Sequence, residues 1–356
     1  MARQHYATLA PLFDELGLTS ALLTGSTPAA RRREVLDWLY NGELDCIIGT
    51  HALIQTGVEF YDLGLAVTDE QHRFGVAQRA RLRSDSAVDM LIMTATPIPR
   101  TLAMTIYADL ELSVIDQLPP GRKTVQTFAV DHSYEQRVFD FIEKQVAEGG
   151  QAFVVCPLIY ENEELELGSV TAVYERLSKE VFSTRRVGLL HGKMKPQEKD
   201  AAMIAFREGE TDILVATTVI EVGVDVPNAC VMLILDAERF GLAQLHQLRG
   251  RIGRGERQGY CILLYTPLNP LVQERMNVVC HTTDGYELAE ADLRLRGPGE
   301  FLGERQHGLP ELQAADIFRD SDLLQQAHED AAELLSAGPL PEALEKKVQS
   351  LSALMT

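Results

Sequence analysis

The sequence predicts an α/β protein with two consecutive parallel-sheet domains and a helical C-terminal end. Three observations carry that prediction. Short apolar runs alternate with helical stretches along most of the chain. The runs are apolar on both faces, as strands of a parallel sheet covered by helices require. The chain has 356 residues, whereas one domain usually needs roughly 100–200.

The elements follow in order. Ser20 to Leu23 reads as a strand, Arg31 to Leu39 as a helix that Asn41-Gly42 can end, and Cys46 to Gly49 as a second strand. Leu63 to Thr68 runs into two acids, and Met90 to Met93 runs into Thr94-Ala95-Thr96-Pro97. Leu118-Pro119-Pro120-Gly121-Arg122 can continue neither a helix nor a central strand, so a domain boundary is placed there. The alternation resumes with a helix from Tyr134 to Ala147, stopped by Gly149-Gly150. Strands are expected at Ala152 to Val155, Val187 to Leu190, Ile213 to Ala216, Val231 to Leu235 and Gly259 to Tyr265. The acidic string Glu161-Asn162-Glu163-Glu164 reads as a solvated loop. From Pro267 onward the pattern turns helical, and Glu311 to Thr356 reads as an acidic helical tail.

Composition narrows the function. With 46% hydrophobic and 24% charged residues, the chain is neither largely disordered nor collagen-like. It has no apolar run of about 18 residues and no secretory pattern at its N-terminus, so a cytoplasmic protein is expected. Five cysteines without CxxC spacing read as reduced thiols, not as a disulfide frame or zinc site. The net charge of −19 argues mildly against nucleic acid, but a binding site depends on local charge.

Several strings can carry chemistry. Asp69-Glu70-Gln71-His72 stands at the C-terminal end of an apolar strand, where ligands of open α/β sheets bind. One acid there can hold Mg²⁺ against nucleotide phosphates, and its neighbour can orient or deprotonate an attacking water. A bare acid pair can equally cap the next turn, but the full string to Gly75 is more specific. Thr94 to Arg100 offers small hydroxyls that can bridge one site to another, or cap a helix. Gln247-Leu248-Arg249-Gly250-Arg251-Ile252-Gly253-Arg254 places Arg251 and Arg254 at i and i+3, hence on one helix face. Two guanidiniums on one face suit a transferring phosphoryl group. Between Arg239 and Arg257 there are five arginines and one acid, Glu256. Thr217, Thr218 and Asp225 stand in a string ending at Pro227; the threonines can reach a phosphate, the acid a ribose or an arginine. Thr24-Gly25-Ser26, Gly49-Thr50-His51 and His191-Gly192 follow strands and can offer amides and hydroxyls to phosphates.

Taken together and in this order, the strings resemble a superfamily-two helicase motor of two RecA-like domains. More closely the chain resembles the RecG family of branched-DNA translocases. Asp69 to Gly75 is similar to that family's motif II, Thr94 to Arg100 to motif III, Thr217 to Pro227 to motif V and Gln247 to Arg254 to motif VI. Asp284-Gly285, Leu295-Arg296-Gly297-Pro298-Gly299-Glu300 and Gly303-Glu304-Arg305-Gln306 resemble the helical-hairpin translocation motif shared with the transcription-repair factor Mfd. Gln71 and Pro298 stand where Mfd is expected to carry Glu and Ala.

The resemblance implies a division into a partial RecA-like domain (1–118), a second one (119–266), the hairpin (267–310) and the tail (311–356). It implies ATP and Mg²⁺ as cofactors, with Asp69 on the metal, Glu70 on the hydrolytic water and His72 in the same catalytic string. Gln247, Gly223, Asp225, Arg251 and Arg254 would contact the nucleotide, Arg254 as the arginine finger. Thr24, Gly25, Thr50, His51, His191 and Thr218 would touch the DNA backbone. Thr94, Thr96, Arg275, Arg296 and Gln306 would couple cleft closure to DNA movement. Branched or double-stranded DNA is the implied partner, with a single-stranded DNA-binding protein joining the complete molecule.

One element of the pattern is missing. A phosphate loop reads G-x-x-x-x-G-K-[ST], and no such string occurs. In the family it precedes the stretch resembling Ala2-Arg3-Gln4-His5-Tyr6. The chain is therefore expected to begin inside the first motor domain, to lack the N-terminal wedge domain, and to hydrolyse little ATP alone. A non-catalytic DNA- or partner-binding module is the alternative of a different class, marked by salt-dependent DNA binding without nucleotide dependence. An Mfd-like motor is the third, marked by an RNA-polymerase-binding domain, none of which is visible.

Overall fold

The computed structural model describes residues 2–55, 57–69, 88–94, 113–115, 117, 123–157, 163–217, 226–296, 321–338, 340, 344 and 346–348. The chain divides into two compact units, the first containing residues 1–96 and the second nearly all the remainder.

In the first unit, helix α1 (Ala2–Glu15) precedes strand β1 (Ser20–Leu23), helix α2 (Ala29–Asn41) and strand β2 (Cys46–Gly49). β1 and β2 pair in parallel, Ser20 opposite Cys46. α2 stops where Asn41-Gly42 predicts: Gly42 takes φ +73°, and its N–H donates to the Trp38 carbonyl. Ala21, Leu23, Val35 and Leu39 form the buried contact between strand and helix. Strands β3 (Leu65–Thr68) and β4 (Asp89–Ile92) form a second parallel pair. Here the expectation of strands covered on both faces is not met among the described residues. Leu65, Val67 and Leu91, on one face of the pair, are all more than half exposed. α1 was not expected from the sequence; it accommodates Pro11 and buries no residue, so no apolar stripe announces it.

The second unit is built on six parallel strands. They are β5 (Gln126–Asp131), β6 (Gln151–Val155), β7 (Val187–Leu190), β8 (Ile213–Ala216), β9 (Ala229–Ile234) and β10 (Tyr260–Tyr265), in the order β5-β10-β9-β6-β8-β7. Every residue of β6, β8 and β9 is buried, which is why these strands read as unbroken apolar runs. Helix α3 (Glu135–Ala147) lays Val138, Phe139, Ile142 and Val146 on the sheet. Gly149 (φ +86°) then reverses the chain. Gly150 enters β6 so close to β9 that a Cβ would lie 2.4 Å from Cys230 Sγ.

Two elements differ from expectation. β5 is an edge strand with alternating exposure, Phe128 being 49% exposed, so it lacks an apolar run. Helix α4 (Glu163–Arg176) occupies part of the string read as a loop. Glu163 and Glu164 open it, where the positive end of the helix dipole favours carboxylates. Helix α5 (Pro196–Arg207) lies between β7 and β8 in the chain, and α6 (Leu242–Arg249) between β9 and β10. Helices α7 (Pro270–His281) and α8 (Gly285–Arg296) follow β10, and α9 (Ser321–Ser336) lies in the C-terminal stretch.

Leu233 is fully buried at the centre of the sheet. Leu233→Ala is expected to cost about 2–5 kcal/mol, read as a lower urea midpoint for the second unit.

Candidate functional site

Parallel strands bring their C-terminal ends to one edge, and the first unit places its candidate residues there. Thr24 and Gly25 follow β1, Thr50 and His51 follow β2, Asp69 follows β3 and Thr94 follows β4. The Thr24 hydroxyl lies 3.1 Å from that of Ser26, which accepts from Arg3 Nη2 at 3.1 Å. This turn gathers hydroxyls and a guanidinium, groups that suit an anion. Thr50 N–H donates to the Leu23 carbonyl at 3.2 Å. That close approach needs Gly49, whose Cβ would lie 2.2 Å from the same oxygen.

Asp69 points a partly exposed carboxylate at His5 Nε2, 3.4 Å away across to α1. Among the described residues no cluster of three or more His, Cys, Asp and Glu could hold a metal. A lone carboxylate at a strand end nevertheless fits Mg²⁺, which keeps several waters and takes phosphate oxygens as ligands. Glu70, His72 and Thr96 lie outside the described residues.

The second unit repeats the arrangement. His191 follows β7, its N–H donating to Met194 Sδ at 3.4 Å. Thr217 follows the adjacent strand β8 and is fully buried. His191 Nδ1 and Thr217 Oγ1 make no hydrogen bond within the protein. Buried polar atoms of this kind cost about 1–3 kcal/mol each when left unpaired, which suits an edge that meets a ligand. Thr218, Gly223 and Asp225 lie outside the described residues.

α6 carries Gln247 and ends at Arg249. Arg251 and Arg254 therefore do not share a helix face as their spacing predicts. Two glycines prevent it: Gly250 closes the helix and Gly253 takes φ +67°. Both arginines sit instead on the turn that follows, where Arg254 Nε donates to the Gly250 carbonyl at 3.3 Å. The arginine cluster is also less available than its count implies. Arg249 is only 4% exposed, and Arg257 Nη2 is held by the Glu148 carbonyl at 2.6 Å. Arg275, on α7, donates to the carbonyls of Glu238 and Phe240. Arg296 ends α8, but its side chain and all of Gln306 lie outside the described residues.

Sequence reasoning missed His246 and Arg249. Arg249 Nη1 donates to the carbonyls of Val279 at 2.7 Å and Thr282 at 2.9 Å, and Nη2 lies 2.9 Å from His246 Nδ1. Burial, then the Arg249 charge, pushes the His246 pKa down to about 4, so the ring is neutral at pH 7. The signal was periodicity. Positions 242, 245 and 249 follow the helical repeat, so Arg249 falls on the face that buries Leu242 and Leu245.

Three family models match in succession. "DEAD/DEAH box helicase" covers residues 1–105, "Helicase conserved C-terminal domain" covers 134–256, and "ATP-dependent DNA helicase RecG, domain 3, C-terminal" covers 282–351. The yeast helicase Dbp5 bound to RNA and ADP BeF3 shares the fold, at a TM-score of 0.54 and 16% identity over 92% of this chain and 78% of that one. The fold and the motif strings thus define a RecA-like helicase motor.

Closer relatives narrow the class. "ATP-dependent DNA helicase RecG" of Bacillus subtilis is 49% identical over 338 residues, 95% of this chain and 50% of the relative. The protein of that name in Streptococcus pneumoniae is 52% identical over 337 residues, 94% of this chain and 50% of the relative. A solved structure of RecG bound to a three-way DNA junction matches with a TM-score of 0.71 and 47% identity, over 91% of this chain and 42% of that one. The chain belongs to the RecG family of helicases and spans about half the length of those relatives.

The lowered His246 pKa has a sign. The unfolded chain binds the proton near pH 6.5 and the folded chain only near pH 4, so folding opposes protonation between those values. The second unit is expected to lose roughly 1–3 kcal/mol as pH falls from 6.5 to 4, and His246→Gln should flatten that part of a urea-midpoint profile.

Proposed function

We propose that this chain is the motor portion of an ATP-driven translocase that remodels branched DNA, such as stalled forks and Holliday junctions, in recombination and repair. The carrying observation is the near 50% identity to RecG relatives along almost the whole chain. The placement of Thr24, His51, Asp69, Thr94, His191 and Thr217 at strand C-termini supports it.

In this reading Asp69 holds Mg²⁺, with His5 as the partner that orients its carboxylate. Mg²⁺, when bound, bridges phosphate oxygens and offsets their charge. Glu70 orients the attacking water and accepts its proton, and His72 belongs to the same string. Gln247, Gly223 and Asp225 contact the nucleotide. Arg251 and Arg254 approach the transferring phosphoryl group from the turn after α6 and offset the charge that spreads over its oxygens. Thr24, Gly25, Thr50, His51, His191 and Thr218 hold the DNA backbone, which fixes register without reading sequence. Thr94, Thr96, Arg275, Arg296 and Gln306 link the nucleotide cycle to movement of the duplex. The molecule works in the cytoplasm, and in its complete form meets a single-stranded DNA-binding protein.

No G-x-x-x-x-G-K-[ST] string occurs in these 356 residues, so the polypeptide by itself has nothing equivalent to cradle the nucleotide phosphates. Two measurements test the reading. With three-way-junction DNA present, the 356-residue chain is expected to show no ATP turnover above background; turnover that Glu70→Gln abolishes would contradict this.

The second measurement replaces the matching half of the Bacillus subtilis relative with this chain. The chimera is expected to hydrolyse ATP in response to branched DNA, and Arg254→Ala to lower kcat by about 10³–10⁵. A folded chimera that never hydrolyses ATP rules the motor reading out.

A further inference from the structure

Arg249 is a buried cation with no carboxylate among the hydrogen-bond partners seen for it. Its guanidinium is met by the carbonyls of Val279 and Thr282 and by the His246 ring. Val279 lies in the last turn of α7, and Thr282 is the residue that caps it. The last four carbonyls of a helix lack intrahelical partners, and the C-terminal end carries the negative pole of the dipole. A fork-shaped cation bridging two of these oxygens is compensated there without an acid. His246 remains neutral and offers a ring nitrogen instead of a second positive charge.

The contact continues beyond α7. The Thr282 hydroxyl donates to Glu287 Oε2 at 2.5 Å, inside the first turn of α8, and accepts from Asp284 N–H at 3.1 Å. Arg249, Thr282 and Glu287 thus make an unbroken polar chain from α6 through the end of α7 into α8. At the other end of α6, Arg275 of α7 grips the carbonyls of Glu238 and Phe240. α6 is therefore tied to α7 both just before its start and at its last residue. The residue after Arg249 begins the turn that carries Arg251 and Arg254.

We propose that Arg249 is a positioning residue: it makes the Arg251–Arg254 turn and the helical pair α7–α8 move as one body. Displacement of the turn is then passed to the helices through the Thr282 carbonyl and hydroxyl. The mechanical link stands on this geometry alone; its use in driving DNA rests on the motor reading above. The residues named for coupling from the sequence (Thr94, Thr96, Arg275, Arg296 and Gln306) do not include it. Its polar partners all belong to the second unit.

Amide hydrogen exchange on the full chain tests the link with neither ATP nor DNA, so failure of the motor reading leaves the result untouched. Glu287→Ala changes α8 only. With Arg249 present, it is expected to speed exchange at residues 250–256 by at least about threefold. In the Arg249→Met background the same substitution should leave residues 250–256 unchanged within error. Arg249→Lys, a point cation that cannot fork between two carbonyls, should restore only part of the response.

Protection in β6, β8 and β9 reports whether each variant is folded. If Arg249→Met loses it, Thr282→Val supplies the cycle, because it removes the hydroxyl link and leaves the Thr282 carbonyl in place. Glu287→Ala should then no longer reach residues 250–256. A wild-type background in which Glu287→Ala fails to alter residues 250–256 overturns the proposal. So does a response that survives both Arg249→Met and Thr282→Val.

Discussion

Parallel pairing of β6 with β8 and β9 is the constraint on which the second unit depends. A parallel strand cannot return by a tight turn, so each connection must cross the sheet through a longer segment, usually a helix. With helices against the sheet, its central strands are dry, and β6, β8 and β9 bury every residue. Parallelism also sends all C-terminal strand ends to one edge. His191 and Thr217 become neighbours there although they stand far apart in sequence. The same rule places Thr24 beside His51, and Asp69 beside Thr94, in the first unit. Function at an edge is thus a consequence of how the core is closed.

The turn after α6 shows a different kind of constraint. A continuous helix would have aligned Arg251 with Arg254, as the i, i+3 spacing suggests. Gly250 and Gly253 end that regularity, and Gly253 adopts a backbone conformation that a side chain would oppose. Arginines on a turn depend on whatever anchors its two ends. One anchor is Arg249, sunk among carbonyls with a neutral histidine beside it. Replacing such a buried cation by an apolar residue can be nearly neutral for stability. Its retention is therefore better explained by geometry than by a gain in folding free energy.

Much of the fold is legible in the sequence, and the gaps have physical causes. Ser20–Leu23, Cys46–Gly49, Val187–Leu190 and Ile213–Ala216 are strands where apolar runs foretell them. Burial on both faces leaves such a run no room for polar residues. β5 escapes notice because an edge strand buries one face and alternates. α4 escapes because four consecutive polar residues look like a loop, yet carboxylates are favoured in the first turn of a helix. α1 escapes because it buries nothing.

By itself the sequence determined the α/β class, the alternation of strands with helices and the family, because burial pattern and motif spacing are local properties of a chain. It also marked Asp69, His191 and Arg254 as chemically useful from their positions after apolar runs. Only the tertiary structure decided that the helix stops at Arg249, that Arg249 faces the end of α7, and that His5 meets Asp69. Those facts join residues tens of positions apart. No residue's own preference encodes such a meeting; it follows from how helices settle once the sheet is buried.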